Sequence, residues 1–140
     1  MENKRKIKRA ERFLKLAGYL PEEDNLDKQD IEGVAFDFMC DFDSDIGFCN
    51  EFDMWLSKKH SVSLSEFFAE YEESYLIKDK VKVFYFFLEF LDDSKTHWGT
   101  FWNGHLTDIY SDIEEANRKS RTIITKSVYG PVKQLWEEDK

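Results

Sequence analysis

Proline and glycine are scarce in this chain, and both residues are needed at the many turns of a β-rich protein. The 140 residues include only 2 prolines and 6 glycines. These are too few turn-forming residues for a many-stranded β-sandwich, so the composition favours helices. Apolar residues make up 41% of the chain, the usual share for a globular protein, which argues against disorder. A chain of this length is most simply one domain, here residues 1–140, and it can bury a core without disulfides.

Cysteines and long apolar runs are also scarce. The two cysteines, Cys40 and Cys49, do not make a disulfide framework, so we expect a reducing environment. No run of about 18 apolar residues occurs, so we expect no membrane-spanning helix. The first residues, MENKRKIKRAERF, carry charge where a signal peptide needs apolar side chains. Together these features predict a cytoplasmic protein without a membrane partner.

Motifs for catalysis or cofactor binding are missing, including GxSxG, the P-loop and GxGxxG. The segment DFDSDIG, residues 41–47, copies the first three carboxylates of a calcium loop. The sixth and twelfth loop positions hold Ile46 and Phe52, where calcium binding requires Gly and Glu. Cys40, Cys49 and His60 lack the short spacing of a zinc site. We therefore expect no enzyme, no metal and no cofactor.

One aromatic segment, HWGTFWNGH at residues 97–105, has two interpretations. Its histidines and tryptophans could line the ligand pocket of a hydrolase, which would need His97 or His105 beside a carboxylate. They could equally form an aromatic loop packed on the core, and we favour this interpretation because aromatic side chains dominate core burial.

Helical periodicity covers most of the chain. It predicts helices over residues 3–20, 30–42 and 46–60, with Asp43, Ser44 or Asp45 capping the third. Ser63 and Glu66 form a capping box that starts another helix. Residues 80–91 suit a strand by propensity but a buried helix by length, and we prefer the helix.

The C-terminal third contains more turn signals. Asn103-Gly104 is typical of a type I′ turn and favours a short β-hairpin near residues 100–106. Thr107 or Ser111 is predicted to start a helix, the latter with Glu114 as its capping-box partner. Pro131 suits the first turn of a last short helix. The predicted fold is mainly α: a compact single-domain bundle of about five to six helices, with that hairpin.

Charge is distributed unevenly along the chain. The net charge is −9, but residues 1–20 carry +5, residues 21–56 carry −11, and residues 57–140 carry −3. Carboxylates in such numbers cannot be core residues, so they face water or a partner. The alternative to a binding site is a merely solvated acidic face.

An acidic surface with an exposed aromatic anchor is typical of a site for a basic partner. We therefore predict a small acidic inhibitor, of the immunity, anti-restriction or anti-CRISPR type, that blocks the basic nucleic-acid-binding surface of a nuclease-like protein. The predicted partner-binding residues are Asp30, Glu32, Phe36, Asp37, Asp41, Asp43, Asp45, Glu51 and Asp53.

The first predicted helix carries a basic stripe, which suggests a second function. Arg5, Lys8, Arg12 and Lys15 share one side of that helix, and clustered cations bind phosphates. The alternative hypothesis is a nucleic-acid-associated regulator that contacts DNA or RNA through this helix. Because the other 120 residues carry −14, we expect direct nucleic-acid binding to be disfavoured, and the basic helix to pack beside the acidic segment and neutralise it.

Overall fold

The computed structural model describes residues 2–21, 26–47, 50–63, 77–122 and 130–136. These residues form five helices and three strands, which confirms the prediction of a mainly helical fold with a hairpin. The helices are α1 (Glu2–Leu16), α2 (Lys28–Gly47), α3 (Asn50–His60), α4 (Ile77–Ser94) and α5 (Ile113–Thr122). The strands are β1 (Trp98–Trp102), β2 (His105–Tyr110) and β3 (Val132–Gln134). None of the helices within these ranges combines the length and apolarity needed to cross a membrane.

The central element is α4, which contacts α1, α2 and α3. The preference for a helix over residues 80–91 is therefore confirmed. A helix that is apolar around most of its circumference is buried on several sides, and α4 buries Val83, Phe84, Phe87 and Leu91 almost completely. The Phe84 ring contacts aromatic rings from two other helices. Its centroid lies 5.9 Å from that of Phe13 in α1 and 5.5 Å from that of Phe38 in α2.

The first helix ends earlier than its apolar pattern predicts, at Leu16 instead of Leu20. Gly18 adopts a φ of 82°, which a residue with a Cβ rarely tolerates. The Gly18 amide donates to the Lys15 carbonyl (3.1 Å) and the Tyr19 amide to the Leu14 carbonyl (2.8 Å). These two bonds form a Schellman motif, which satisfies the last carbonyls of the helix and stops it.

The second helix is unbroken where the sequence predicts a boundary. The expected cap at Asp43, Ser44 or Asp45 is wrong, because α2 runs on to Gly47. Ile46 is buried four residues after the buried Phe42, so packing continues the helical stripe past the polar residues. The cap lies instead at Asp27, whose side chain accepts a hydrogen bond from the Asp30 amide at 2.8 Å.

The hairpin is confirmed, and it is part of a larger sheet. Strands β1 and β2 are joined by Asn103 and Gly104 with φ of 52° and 81°, as a type I′ turn requires. The antiparallel strand order is β2-β1-β3. Thr107 pairs within this sheet, with its hydroxyl 3.0 Å from that of Thr100, so the helix predicted to start there begins only after Asp112, which caps it.

The prediction of a last short helix is also wrong, since residues 132–134 form β3 along β1.

The sheet and the helices share one core. The Leu106 amide donates to the carbonyl of Ala17, in the turn that ends α1 (2.8 Å), and Leu135 is fully buried. Cys40 is exposed, although an unpaired cysteine in a helix is by default expected to be buried. Cys49 and the partner residue of the Ser63 capping box lie outside the described residues.

Two glycines should respond to alanine in opposite directions. A Cβ on Gly18 would lie 2.3 Å from the Gly104 carbonyl oxygen, whereas a Cβ on Gly33 meets nothing within 4 Å. We expect Gly18→Ala to lower the free energy of unfolding by about 2 kcal/mol or more. Gly33→Ala, in the exposed interior of α2, should raise it by roughly 0.5–1 kcal/mol. Urea denaturation of both variants checks this, and a tolerated Gly18→Ala would contradict the turn geometry.

A buried histidine should make stability depend on pH. Burial lowers the pKa of His97 to about 4, and its ring packs 4.7 Å from that of Phe90. In the unfolded chain the same group binds a proton near its ordinary pKa of 6.5. Between these two pKa values the unfolded state therefore binds one more proton than the folded state. The free energy of unfolding falls as pH drops from about 7 to about 4, by roughly 3 kcal/mol at most.

The variants His97→Gln and His105→Gln separate this effect from the titration of carboxylates. His105 is exposed, so His105→Gln should keep the wild-type pH dependence of unfolding. His97→Gln should lose less stability than wild type between pH 7 and pH 5. Identical pH slopes for the two variants in urea titrations would show that His97 is not the responsible group.

Candidate functional site

Three aspartates form an exposed line on α2, which we call the acidic stripe: Asp30, Asp37 and Asp41. They lie on the side of the helix opposite the buried Met39 and Ile46. Among the described residues, no lysine, arginine or histidine forms an ion pair with any of the three. The expected neutralisation of the acidic segment by the basic helix therefore does not occur at this stripe.

Tyr19 fixes one end of the acidic stripe. Its hydroxyl donates a hydrogen bond to Asp41 Oδ2 at 2.5 Å. Burial, the hydrogen bond to Asp41 and the negative charge of Asp37 raise the pKa of Tyr19 well above its usual value. The phenol thus stays protonated at neutral pH and keeps donating its hydrogen bond, which holds the Asp41 side chain in place.

Two other predicted partner-binding residues, Glu32 and Phe36, do not join the stripe. Glu32 lies on the flank of α2 that faces α4, where it accepts a hydrogen bond from the Tyr85 hydroxyl at 3.2 Å. Phe36 is half-buried against the core, with Lys80 Nζ 5.6 Å from its ring centroid, so it is not the exposed anchor that the sequence predicts. The remaining members lie in the last turns of α2 (Asp43 and Asp45) and the first turn of α3 (Glu51 and Asp53).

A second charged surface is concave. A groove of about 830 Å³ lies between α1, α4 and the end of α3, and we call it the α1 groove. Its cationic lining consists of Lys4, Arg5, Lys6, Lys8, Arg9 and Arg12. The facing residues include Tyr85 and Leu88, and the carboxylates Glu89 and Asp92. The sequence-predicted cations Arg5, Lys8 and Arg12 therefore meet here, while Lys15 pairs with Glu11 along α1 at 3.1 Å.

Both carboxylates of the α1 groove already have cationic or imidazole partners. Asp92 Oδ1 lies 3.0 Å from Arg9 Nε. Glu89 Oε1 lies 3.0 Å from Lys59 Nζ and 3.2 Å from His60 Nε2. Hydrogen bonds to Asp93 and Glu89 raise the pKa of Lys59, which favours its protonated form.

Most of the groove cations are not neutralised by these carboxylates. Within the ranges that the structure covers, no carboxylate forms an ion pair with Lys4, Arg5, Lys6 or Lys8. The α1 groove therefore has a net excess of positive charge.

The sequence analysis missed three of the groove cations, Lys4, Lys6 and Arg9, and Arg9 is the buried one. Only 9% of it is exposed, and its Nη2 atom donates to the Leu135 carbonyl at 3.2 Å, in addition to the Asp92 contact. It therefore ties α1 both to α4 and to the turn after β3. Its position four residues after Arg5 places it on the same side of the helix, which is the signal that could have included it.

The two histidines of the aromatic segment 97–105 lie apart from each other. His97 is buried against Phe90, and His105 lies exposed at the opposite end of β1. Nowhere in the described part of the chain do three histidine, cysteine or acidic side chains gather as a metal site would require.

Comparison with known proteins gives no relative: no family model, no curated protein and no solved structure matches the chain.

Replacing Arg9 should destabilise the fold, whereas replacing its exposed neighbour should not. Arg9→Ala leaves the Leu135 carbonyl and Asp92 without their partner, at a cost of about 2–4 kcal/mol. Arg5→Ala removes the same side chain from an exposed position outside any ion pair of the described residues, and should stay within about 0.5 kcal/mol of wild type. Thermal and urea unfolding measure both, and equal stabilities for the two variants would refute the tethering role of Arg9.

Proposed function

We propose that the protein is a non-catalytic inhibitor, of the immunity, anti-restriction or anti-CRISPR type, whose acidic stripe docks on the basic nucleic-acid-binding surface of a nuclease-like partner. The observation that carries this proposal is the line of three exposed aspartates that no cation of the described chain neutralises. Concentrated charge of one sign costs a folded monomer stability through self-repulsion, and a complementary partner would relieve that cost.

The axial spacing of the three stripe aspartates supports the proposal that they imitate the phosphates of a nucleic-acid strand. Residues in an α-helix rise 1.5 Å each, so Asp30 and Asp37 lie about 10 Å apart along the axis, and Asp37 and Asp41 about 6 Å apart. Successive phosphates of one strand of duplex DNA are spaced by about 3.4 Å along its axis. Measured along each helix axis, the two aspartate intervals are thus close to three and two phosphate steps.

Rigidity supports the same proposal. The stripe lies on a 20-residue helix whose buried face includes Phe38 and Phe42, stacked with 4.7 Å between ring centroids. Because the carboxylates are held on a regular element, little ordering entropy would be lost on docking. Acidic groups at such a surface accelerate encounter with a basic partner, and this acceleration weakens as salt is added.

The test compares two doubly neutralised variants in the capture of partners from a lysate of the native host. Asp37→Asn/Asp41→Asn removes two charges from the stripe, while Glu114→Gln/Glu115→Gln removes two from α5. The proposal predicts that wild type and the α5 variant retain one nucleic-acid-handling protein and inhibit its purified activity. The stripe variant should bind that protein at least about tenfold more weakly, and added salt should weaken the wild-type complex.

Two outcomes would contradict the proposal. One is equal binding of the captured protein by the stripe and α5 variants. The other is a captured nuclease that cleaves at its full rate when saturated with the wild-type chain.

A further inference from the structure

We propose that the α1 groove is a binding site for a ligand that carries several phosphate groups. The groove is a surface separate from the acidic stripe, so this inference does not depend on the proposed inhibition. Six cations line it, and its two carboxylates, Glu89 and Asp92, already have partners in Lys59, His60 and Arg9. A chain with a net charge of −9 thus keeps a local excess of positive charge in its concave surface.

The packing of the fold does not depend on the exposed groove cations Arg5 and Lys8. The packing of α1 rests on Ala10, Phe13 and Leu14, which are buried. Like charges three or four residues apart repel each other and destabilise a helix. Arg5 lies three residues before Lys8 and four before Arg9, so it repels both. Within the described residues Arg5 and Lys8 gain no ion pair in return. An anion in the groove would convert this repulsion into attraction.

Arginine geometry favours phosphate as that anion. Arg5, Arg9 and Arg12 follow one another at intervals of four and three residues and line the same groove. A guanidinium presents a planar fork that matches two oxygens of a phosphate. Arg9 is already held by Asp92 and the Leu135 carbonyl, so part of this wall is pre-positioned. A phosphate bears up to two charges on one small group, which suits a site with this density of cations.

The groove also offers size and a partly apolar lining. Its volume of about 830 Å³ is within the range of about 300–1,000 Å³ for small-molecule sites. Leu88 and Tyr85 line it; Leu88 is buried, and the Tyr85 hydroxyl donates a hydrogen bond to Glu32. A free nucleotide and a single strand of nucleic acid both combine phosphates with an apolar base, and either could supply this chemistry.

The experiment uses three probes with the intact chain: tripolyphosphate, a metal-free nucleoside triphosphate, and an oligothymidylate about ten nucleotides long. Binding is measured by calorimetry and fluorescence anisotropy at about 50 mM salt, where phosphate contacts are strong. Arg5→Gln/Lys8→Gln removes two groove charges at exposed positions. Lys28→Gln/Lys58→Gln removes two exposed charges outside the groove and is the matched control.

The proposal predicts one-to-one binding of at least one phosphate probe, tenfold or more weaker in the groove variant and unchanged in the control. Similar affinities for all three probes identify a small phosphorylated ligand. An oligothymidylate that binds tenfold tighter than tripolyphosphate, with a steeper salt dependence, identifies a nucleic-acid strand.

Three results would overturn the proposal. The first is no binding of any probe at concentrations up to about 1 mM. The second is equal weakening in the groove and control variants. The third is a hexaglutamate peptide that binds as tightly as tripolyphosphate, because the groove would then fit an acidic protein segment instead of phosphates.

Discussion

The contact of Phe13, Phe38 and Phe84 determines how the two charged helices are oriented. The three rings come from α1, α2 and α4, and every pair of them meets edge to face with centroids 5.3–5.9 Å apart. Because the apolar faces of α1 and α2 turn inward to this cluster, their charged faces must turn outward. The same aromatic contact therefore places both the acidic stripe and the α1 groove at the surface.

Magnitudes explain why apolar packing prevails over the attraction between a basic and an acidic helix. Burying one phenylalanine is worth roughly 2–3 kcal/mol, and three of them meet here. An exposed salt bridge contributes about 0–1 kcal/mol and is screened further by salt. Rotating α1 so that its cations reach Asp37 and Asp41 would sacrifice the burial of Phe13 for weaker ion pairs. The charges are therefore left for water or for partners.

Sequence reasoning identified the elements with strong local signals. The buried helix over residues 80–91 and the Asn103-Gly104 hairpin follow from periodicity and turn chemistry. The predictions were wrong where tertiary packing overrides a local signal. Ile46 is buried and continues α2 past its polar residues, and residues 132–134 form β3 by pairing with the edge of β1. The α1 groove could not be found from one helix, because α4 supplies its facing wall. Phe36 was misjudged for the same reason, since Lys80 of α4 covers its ring.

The central claim is that the acidic stripe and the α1 groove are two separate surfaces of opposite potential. Paramagnetic relaxation of backbone amides by a cationic and an anionic nitroxide, compared at equal concentration, measures this potential residue by residue. We expect amides near Asp37 and Asp41 to relax faster with the cationic probe, and amides near Arg5 and Lys8 to relax faster with the anionic one. Equal relaxation by the two probes in both regions would show that the charges neutralise each other within the chain and would contradict the account.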